Sequence, residues 1–273
     1  MSKTPPDVIQ KLADALYDAE QSRVPIEPLT DNHPDLTVED AYRIQRTNAE
    51  RRIGLGQRLV GHKIGLTAKA MQEQFNVNEP DYGHLLGPMI HDAGVPLDLS
   101  ELIDPMIEVE PAFVLKRRLR GPGVTAKEVM AATDYISVCF EVIDSRVVDW
   151  RIKLQDTVAD NGSSARVIVG SKKVRPTDLP NLDNLDSVFE MDGEVLAEGN
   201  TSAILGHPAN GIVWLANAIA KFGLALEPGD IVLPGTCTRS HRIGGHKLVR
   251  GAISEIGEVS LNLTNTPAIT KHL

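Results

Sequence analysis

The sequence predicts an α+β protein, with a helical N-terminal part over residues 1–60 and a strand-rich part over 61–273 that forms one compact unit. Three observations predict it. Before about residue 60, apolar residues recur at helical spacing. From about Ile90, short apolar runs alternate with Gly, Pro and Asp-Gly turns. No regular strand–helix–strand alternation runs through the chain, which argues against a Rossmann sheet or a TIM barrel.

In chain order, Asp7 is placed to cap a helix whose stripe is Val8, Ile9, Leu12, Ala13 and Leu16. A proline-rich connection runs from Pro25 to Pro34. Thr37 caps a second helix, with Asp40 three residues on as in a capping box; its apolar residues are Val38, Ala41, Tyr42 and Ile44, and Gly54 stops it. Thr67 is a candidate cap for a third helix, Ala68 to Phe75. Val188–Met191 and Glu194–Leu196, joined by Asp192-Gly193, read as a hairpin. Pro208 suits the first turn of a strong helix with Ile212, Leu215, Ala216, Ile219 and Ala220 on one stripe and Gly223 at its end. Pro228-Gly229-Asp230 turns into a buried strand through Leu233, and Gly251 to Leu263 reads as two strands around Gly257.

Formal net charge is -9, which argues against a nucleic-acid or anionic-membrane partner, because phosphate-rich surfaces want basic proteins. Two cysteines, Cys139 and Cys237, both in apolar runs, read as buried thiols suited to a reducing cytoplasm. No apolar run approaches a membrane span, and the opening Met1–Pro6 lacks the apolar core of a signal peptide, so a cytoplasmic location is expected.

The segment Ile107 to Leu115 carries the most chemistry. Successive strand side chains alternate faces, so Glu108 and Glu110 point the same way. Like charges side by side on an apolar strand repel each other and resist desolvation, and a divalent cation between them removes both problems. Glu141, in the apolar run Tyr135 to Asp144, supplies a third carboxylate. An all-oxygen site of this kind suits Mg²⁺ or Mn²⁺ better than zinc. The alternative is a row of edge-strand charges facing water.

Other candidates carry a plainer reading beside the chemical one. Lys63, between glycines in Gly61 to Thr67, is either a buried lysine of lowered pKa near a metal or a snorkelling surface lysine. Asp81, in the turn-rich stretch Asn78 to His84, is a general base or a turn former. His62 and His84 read as ordinary polar residues beside the site. The loop Asp156 to Ser164 packs hydroxyls and a glycine suited to an anion, or is simply solvated. There is no P-loop, no Gly-x-Gly-x-x-Gly after a strand and no Gly-x-Ser-x-Gly elbow.

Taken in order, Gly61–Gly65, Pro80–Gly83, Ile107–Val114, Phe140–Arg146, Asp149–Lys153 and Asp156–Ser164 resemble the 2-hydroxypenta-2,4-dienoate hydratases, close relatives of the 4-oxalocrotonate decarboxylases within the fumarylacetoacetate hydrolase superfamily. The resemblance implies a strand-rich mixed β roll or barrel of the superfamily's C-terminal type. It implies metal ligation by Glu108, Glu110 and Glu141, with Mg²⁺ or Mn²⁺ as cofactor. It gives Lys63 and Asp81 acid/base roles, and Asp156, Ser163, Ser164 and Thr236 contact with substrate. Gly235-Thr236 resembles a Gly-Thr that meets the substrate carboxylate, and Lys153-x-x-Asp156 a motif of the hydrolase branch. Two departures stand out: Gly162 where alanine is expected, and Pro234 where many relatives have a small residue.

The activity implied is that of a hydro-lyase. A small-molecule 2-hydroxy-2,4-dienoate, unsubstituted or a short 5-alkyl homologue, is ketonised; water then adds at C4 to give a 4-hydroxy-2-oxo acid, in meta-cleavage catabolism of aromatic compounds or steroids. A homo-oligomer is implied, with an aldolase or decarboxylase of the same pathway as a candidate partner. The alternatives are a 4-oxalocrotonate decarboxylase or another C–C lyase or hydrolase of the superfamily, with Arg239 or Arg151 receiving a second carboxylate, and a catalytically silent assembly subunit.

Overall fold

The structure is a computed structural model that describes residues 4–74 and 76–265, with the side chains of residues 70, 71 and 74 left aside. Phe75 and the first three residues of the N-terminal stretch therefore lie outside the described residues.

Helix α1 spans Pro6–Ser22, α2 Leu29–Asn32 and α3 Val38–Gly54. Helix α1 starts one residue ahead of the expected cap, with Pro5 at the cap position and Pro6 and Asp7 in the first turn. Proline is tolerated there because first-turn N–H groups have no helical acceptor. The Thr37–Asp40 capping box is present: Thr37 Oγ1 accepts from Asp40 N at 3.1 Å, and Asp40 Oδ2 from Thr37 N at 3.3 Å. Ile9, Leu12 and Leu16 of α1 pack with Ala41 and Ile44 of α3 in one buried cluster. The charged residues between them on the helices face outward, as amphipathic spacing requires.

Strand β1 (Leu59–Gly65), short helix α4 (Lys69–Gln74) and strand β2 (Asp81–Leu86) follow. Ala68 O accepts from Gln72 N, which makes Ala68 rather than Thr67 the cap of α4. The stretch expected to be a turn-rich loop is a strand from Asp81 onward: it pairs antiparallel with β1, with Gly65 opposite Asp81 and Lys63 opposite Gly83. Pairing with a partner some twenty residues away overrides the local turn propensity.

The remaining elements are β3 (Ile90–His91), β4 (Leu97–Asp98), β5 (Met106–Leu115), α5 (Ala126–Ala132), β6 (Thr133–Ile143), α6 (Leu154–Ala159), β7 (Ser164–Val169), β8 (Asp186–Met191), β9 (Glu194–Asn200), α7 (Pro208–Ala220), β10 (Ile231–Leu233), β11 (His241–Arg242), β12 (Leu248–Ile253) and β13 (Gly257–Thr264). Asp192 and Gly193, both at positive φ, close the expected β8–β9 hairpin.

One mixed sheet has the order β2-β1-β10-β5-β6-β7-β3, with β11 also on β5; the second has the order β4-β13-β12-β8-β9. Strands β5 and β6 form the centre of the first sheet, paired from Met106 opposite Ile143 to Leu115 opposite Thr133. The second sheet covers the face of Val109 and Phe140: Gly251 of β12 lies so close that a Cβ there would meet Phe140 Cε1 at 2.7 Å and Val109 Cγ2 at 2.9 Å. Phe140 and Phe189 meet edge to face across the two sheets. Among the described residues no helix is long and apolar enough to cross a membrane.

Candidate active site

Because Val109 and Phe140 face the second sheet, alternation turns Glu108, Glu110 and Glu141 to the opposite face. Register completes the cluster, since Glu108 lies directly opposite Glu141. One carboxylate oxygen from each of the three lies within 4.8 Å of the others. Glu110 and Glu141 are fully buried, and Glu108 is half-buried. Glu110 Oε2 accepts from Gly235 N at 2.8 Å, and Glu141 Oε1 has no hydrogen-bond partner, while its Oε2 meets only the ammonium of Lys63. Burial pushes all three pKa values up, Glu108 to about 7; Lys63 works against the rise in each, while neighbouring carboxylates add to it, Glu141 and Asp81 at Glu108, Glu141 and Glu108 at Glu110, and Asp81 at Glu141. Orphaned oxygens, mutual repulsion and an oxygen-only donor set are what a hard divalent cation relieves. The three glutamates therefore fit Mg²⁺ or an ion like it.

Lys63 is a buried lysine, which removes the snorkelling reading. Its Nζ stands 3.3 Å from Glu141 Oε2 and donates to Gly162 O at 3.1 Å. The expected fall in its pKa is not found. Burial opposes the charge, but Glu141, Asp81, Glu108 and Glu110 outweigh it and hold the pKa above the ordinary lysine range. A cation on the carboxylates would cancel much of that pull. Asp81 is buried on β2, not in a turn, with Oδ1 unpartnered. Burial raises its pKa, and Lys63 works against the rise. The Asp81 carboxylate lies over Gly65, where a Cβ would meet Oδ1 at 2.2 Å. His62 and His84 face each other across β1 and β2 with ring centroids 5.3 Å apart; burial lowers them to about 3 and about 4, so both are neutral. Cys139 and Cys237 are free and buried, and burial pushes both thiols up.

The loop between α6 and β7 is built around a cation that sequence reading missed. Buried Arg146 Nε donates to Asp160 Oδ1 at 2.5 Å, and its other nitrogens donate to the carbonyls of Asp144, Asp160 and Ser164. This frame holds Asn161, Gly162 and Ser163, all three at positive φ, and aims Gly162 O at Lys63. Asn161 is also pinned to β2, its Oδ1 accepting from His84 N and its Nδ2 donating to His84 O.

The four expected substrate contacts divide. Ser164 is buried with its hydroxyl beside Glu141, near enough to lower that carboxyl though short of good hydrogen-bond geometry. Ser163 Oγ donates to Asp160 Oδ2 at 3.1 Å, inside the Arg146 frame. Asp156 is committed internally: it caps α6 through Lys153 N and takes Thr30 N and Thr30 Oγ1 at 3.0 and 2.8 Å. Thr30, 126 residues away, left no local signal of this pairing. Thr236 Oγ1 turns onto the backbone, donating to Thr238 O at 2.7 Å, so the hydroxyl expected on the substrate is occupied. Gly235 N of the same pair donates to Glu110 Oε2.

Gly235 is at φ +124, and a Cβ there would meet Thr67 Oγ1 at 2.0 Å. Gly235→Ala is expected to destabilise by ~2 kcal/mol or more, through backbone strain and a clash with a buried neighbour. A urea midpoint equal to wild type would show that the close approach is not there.

Residues 87–263 match the family described as fumarylacetoacetate (FAA) hydrolase C-terminal. The chain is 43% identical over 232 residues to a 2-hydroxyhexa-2,4-dienoate hydratase of Comamonas testosteroni, covering 84% of this chain and 87% of that one. It is 44% identical over 226 residues to a 2-hydroxypent-2,4-dienoate hydratase of Pseudomonas putida, covering 82% and 100%. Its fold superposes with a TM-score of 0.92 on 4-oxalocrotonate decarboxylase from Pseudomonas putida G7, complexed with magnesium and adipate, at 33% identity over 96% of this chain and 100% of that one.

Proposed function

The chain belongs to the fumarylacetoacetate hydrolase family, and from that premise we propose that it is a metal-dependent hydro-lyase, adding water to a 2-hydroxy-2,4-dienoate to give a 4-hydroxy-2-oxo acid. The observation that carries this reading is the triad Glu108–Glu110–Glu141, two of its members buried, with Lys63 at 3.3 Å from Glu141. The two hydratases named above, each more than 40% identical, support the same reaction. We assign Mg²⁺ or Mn²⁺ to the three glutamates. When bound, the ion supplies Lewis-acid stabilisation of the charge that develops on the substrate's 2-oxygen.

The chain's own groups then have defined work. Ketonisation removes the enol proton and delivers a proton to C5; hydration adds hydroxide character at C4 and a proton at C3. Lys63, with three N–H bonds and contacts to only Glu141 and Gly162 O, keeps a proton free for donation. Asp81, with a pKa raised by burial and an unpartnered oxygen, is placed to exchange a proton with the substrate. The Arg146–Asp160 frame holds Gly162 O and thereby the direction of the Lys63 ammonium. Neutral His62 and His84 add no charge behind β1.

Hydration is preferred to decarboxylation on a specific ground. Binding a second carboxylate needs a cation at the far end of the pocket. Arg151 is engaged with Glu27 and Asp31 at the surface, and Arg239 is exposed. In ¹⁸O-water with Mg²⁺, the monocarboxylate dienol is expected to give product labelled at C4 without release of carbon dioxide. Stoichiometric carbon dioxide from 4-oxalocrotonate, with no hydration of the monocarboxylate, would transfer the assignment to the decarboxylase.

A further inference from the structure

The carboxylate site has a closed end and an open end. Alternation along β5 and β6 puts Ala112 and Cys139 on the face of the three glutamates, one step inward from Glu110 and Glu141. Both are fully buried in an apolar cluster with Leu85, Val167 and Leu233, which closes that end. In the other direction exposure rises: Glu110 is buried, while Glu108 and then Met106 are half-buried. A dienoate that meets the glutamates' ion through its carboxylate and 2-oxygen therefore carries C5 outward, past Glu108 and Met106. Met106 pairs with Arg242 of β11, and Ile107 with His241. The His241 ring lies against Phe189 of the second sheet, centroids 5.3 Å apart, so the next residue, Arg242, faces the other way, onto the side of Glu108. Two steps along a strand and one step across put the Arg242 and Glu108 backbones about 8 Å apart, within reach of a long side chain.

Arg242 is already engaged. Its Nε donates to both oxygens of Asp104 at 3.0 and 3.1 Å, and its Nη2 to Asp104 Oδ2 at 2.7 Å. Asp104 in turn is held more firmly than a surface carboxylate requires. Its N donates to Oδ1 of buried Asp144 at 2.7 Å, beside Ile103 N at 3.1 Å, and its O accepts from Trp150 Nε1 at 3.0 Å. Trp150 and Asp149 before it both sit at φ 54, a costly conformation for residues with side chains. A buried carboxylate and a strained turn thus converge on the position of Asp104. We propose that Asp104 is a specificity-determining residue: it occupies Arg242 at the rim of the site and so excludes dienoates that carry a second carboxylate beyond C5. A monocarboxylate meets an ion pair of no net charge there. A dicarboxylate must displace Asp104 or lie against it, and that repulsion sets the discrimination. The dienoate skeleton rests on the hydro-lyase reading; the choice between one carboxylate and two does not.

Two measurements on the Mg²⁺-loaded protein test it. In the first, kcat/KM for hydration is compared between 2-hydroxypenta-2,4-dienoate and its homologue with a carboxymethyl group on C5. Asp104→Asn keeps the shape of the side chain and removes its charge. The ratio of dicarboxylate to monocarboxylate should then rise ~10-fold, chiefly through KM, the low end for hydrogen bonds to a charged group because the rim is partly exposed. Adding Arg242→Gln should return the ratio to its wild-type value. In the second, calorimetry compares binding of 2-oxohexanedioate and 2-oxohexanoate, which have no carbon–carbon double bond to hydrate. Their affinity ratio should show the same rise and the same reversal. An unchanged ratio in folded Asp104→Asn, or a rise that survives the loss of Arg242, overturns the proposal. If Asp104→Asn fails to fold, Asp104→Ser, which keeps the backbone contacts to Asp144 and Trp150, is put through the same comparison. A protein that binds both 2-oxo acids in the expected ratios but hydrates neither dienoate would sink the hydro-lyase reading and leave the role of Asp104 standing.

Discussion

Chelation with EDTA is expected to abolish turnover, and Mg²⁺ or Mn²⁺ to restore it. Lewis-acid stabilisation is worth several kcal/mol, so the loss in kcat/KM should be ~10³-fold or more. Glu110→Gln should reproduce the loss without unfolding the protein. Glu110 is 1% exposed, and its pKa is driven up by burial and by Glu141 and Glu108. Removing that charge relieves repulsion in the metal-free state, while the amide still accepts from Gly235 N. The variant should therefore melt at or above the metal-free wild type. Mg²⁺ should raise the wild-type melting temperature, by ~2.7 kcal/mol of stabilisation at a hundred times Kd, and leave the variant unmoved. Full activity in metal-free protein would defeat the assignment.

Lys63→Ala and Asp81→Ala should each lower kcat by ~10²-fold or more, the usual scale for groups that move protons in a transition state. Both variants should still bind the ion, because neither residue belongs to the carboxylate triad. Calorimetric Mg²⁺ titration beside steady-state kinetics separates the two effects. Near wild-type kcat in both would make these residues structural. Loss of the ion along with activity would place them in its support instead.

Local patterns carried much of this fold. The Thr37–Asp40 box, the Asp192-Gly193 hairpin and the α7 stripe each lie within a few residues of chain, and the structure contains all three. The Glu-x-Glu of β5 was legible because strand alternation alone puts both carboxylates on one face. Resemblance, more than spacing, joined Glu141 to them; the register that sets it opposite Glu108 is a long-range property. What escaped was of that kind throughout. The stretch around Asp81 read as a turn-rich loop because Pro80 and its neighbours favour turns, and only β1 makes it a strand. The partner of Asp156, Thr30, arrives from the helical part and could not be read locally. Arg146 was passed over, since a buried arginine announces itself only through Asp160 and the carbonyls it holds.

The three residues Asn161, Gly162 and Ser163 wind with the opposite screw sense to the protein's helices. An L-residue in that sense costs ~1–2 kcal/mol, and as a rule such residues occur singly. This loop is a small piece of mirror-image backbone, and only the middle residue is indifferent to the reflection. Excised as a peptide, the segment has no reason to keep its hand. Inside the protein it is held by Arg146 below and by the backbone of His84 beside it. Glycine at 162 carries no cost of handedness, and any Cβ there would also press on Lys63 Cδ at 3.1 Å.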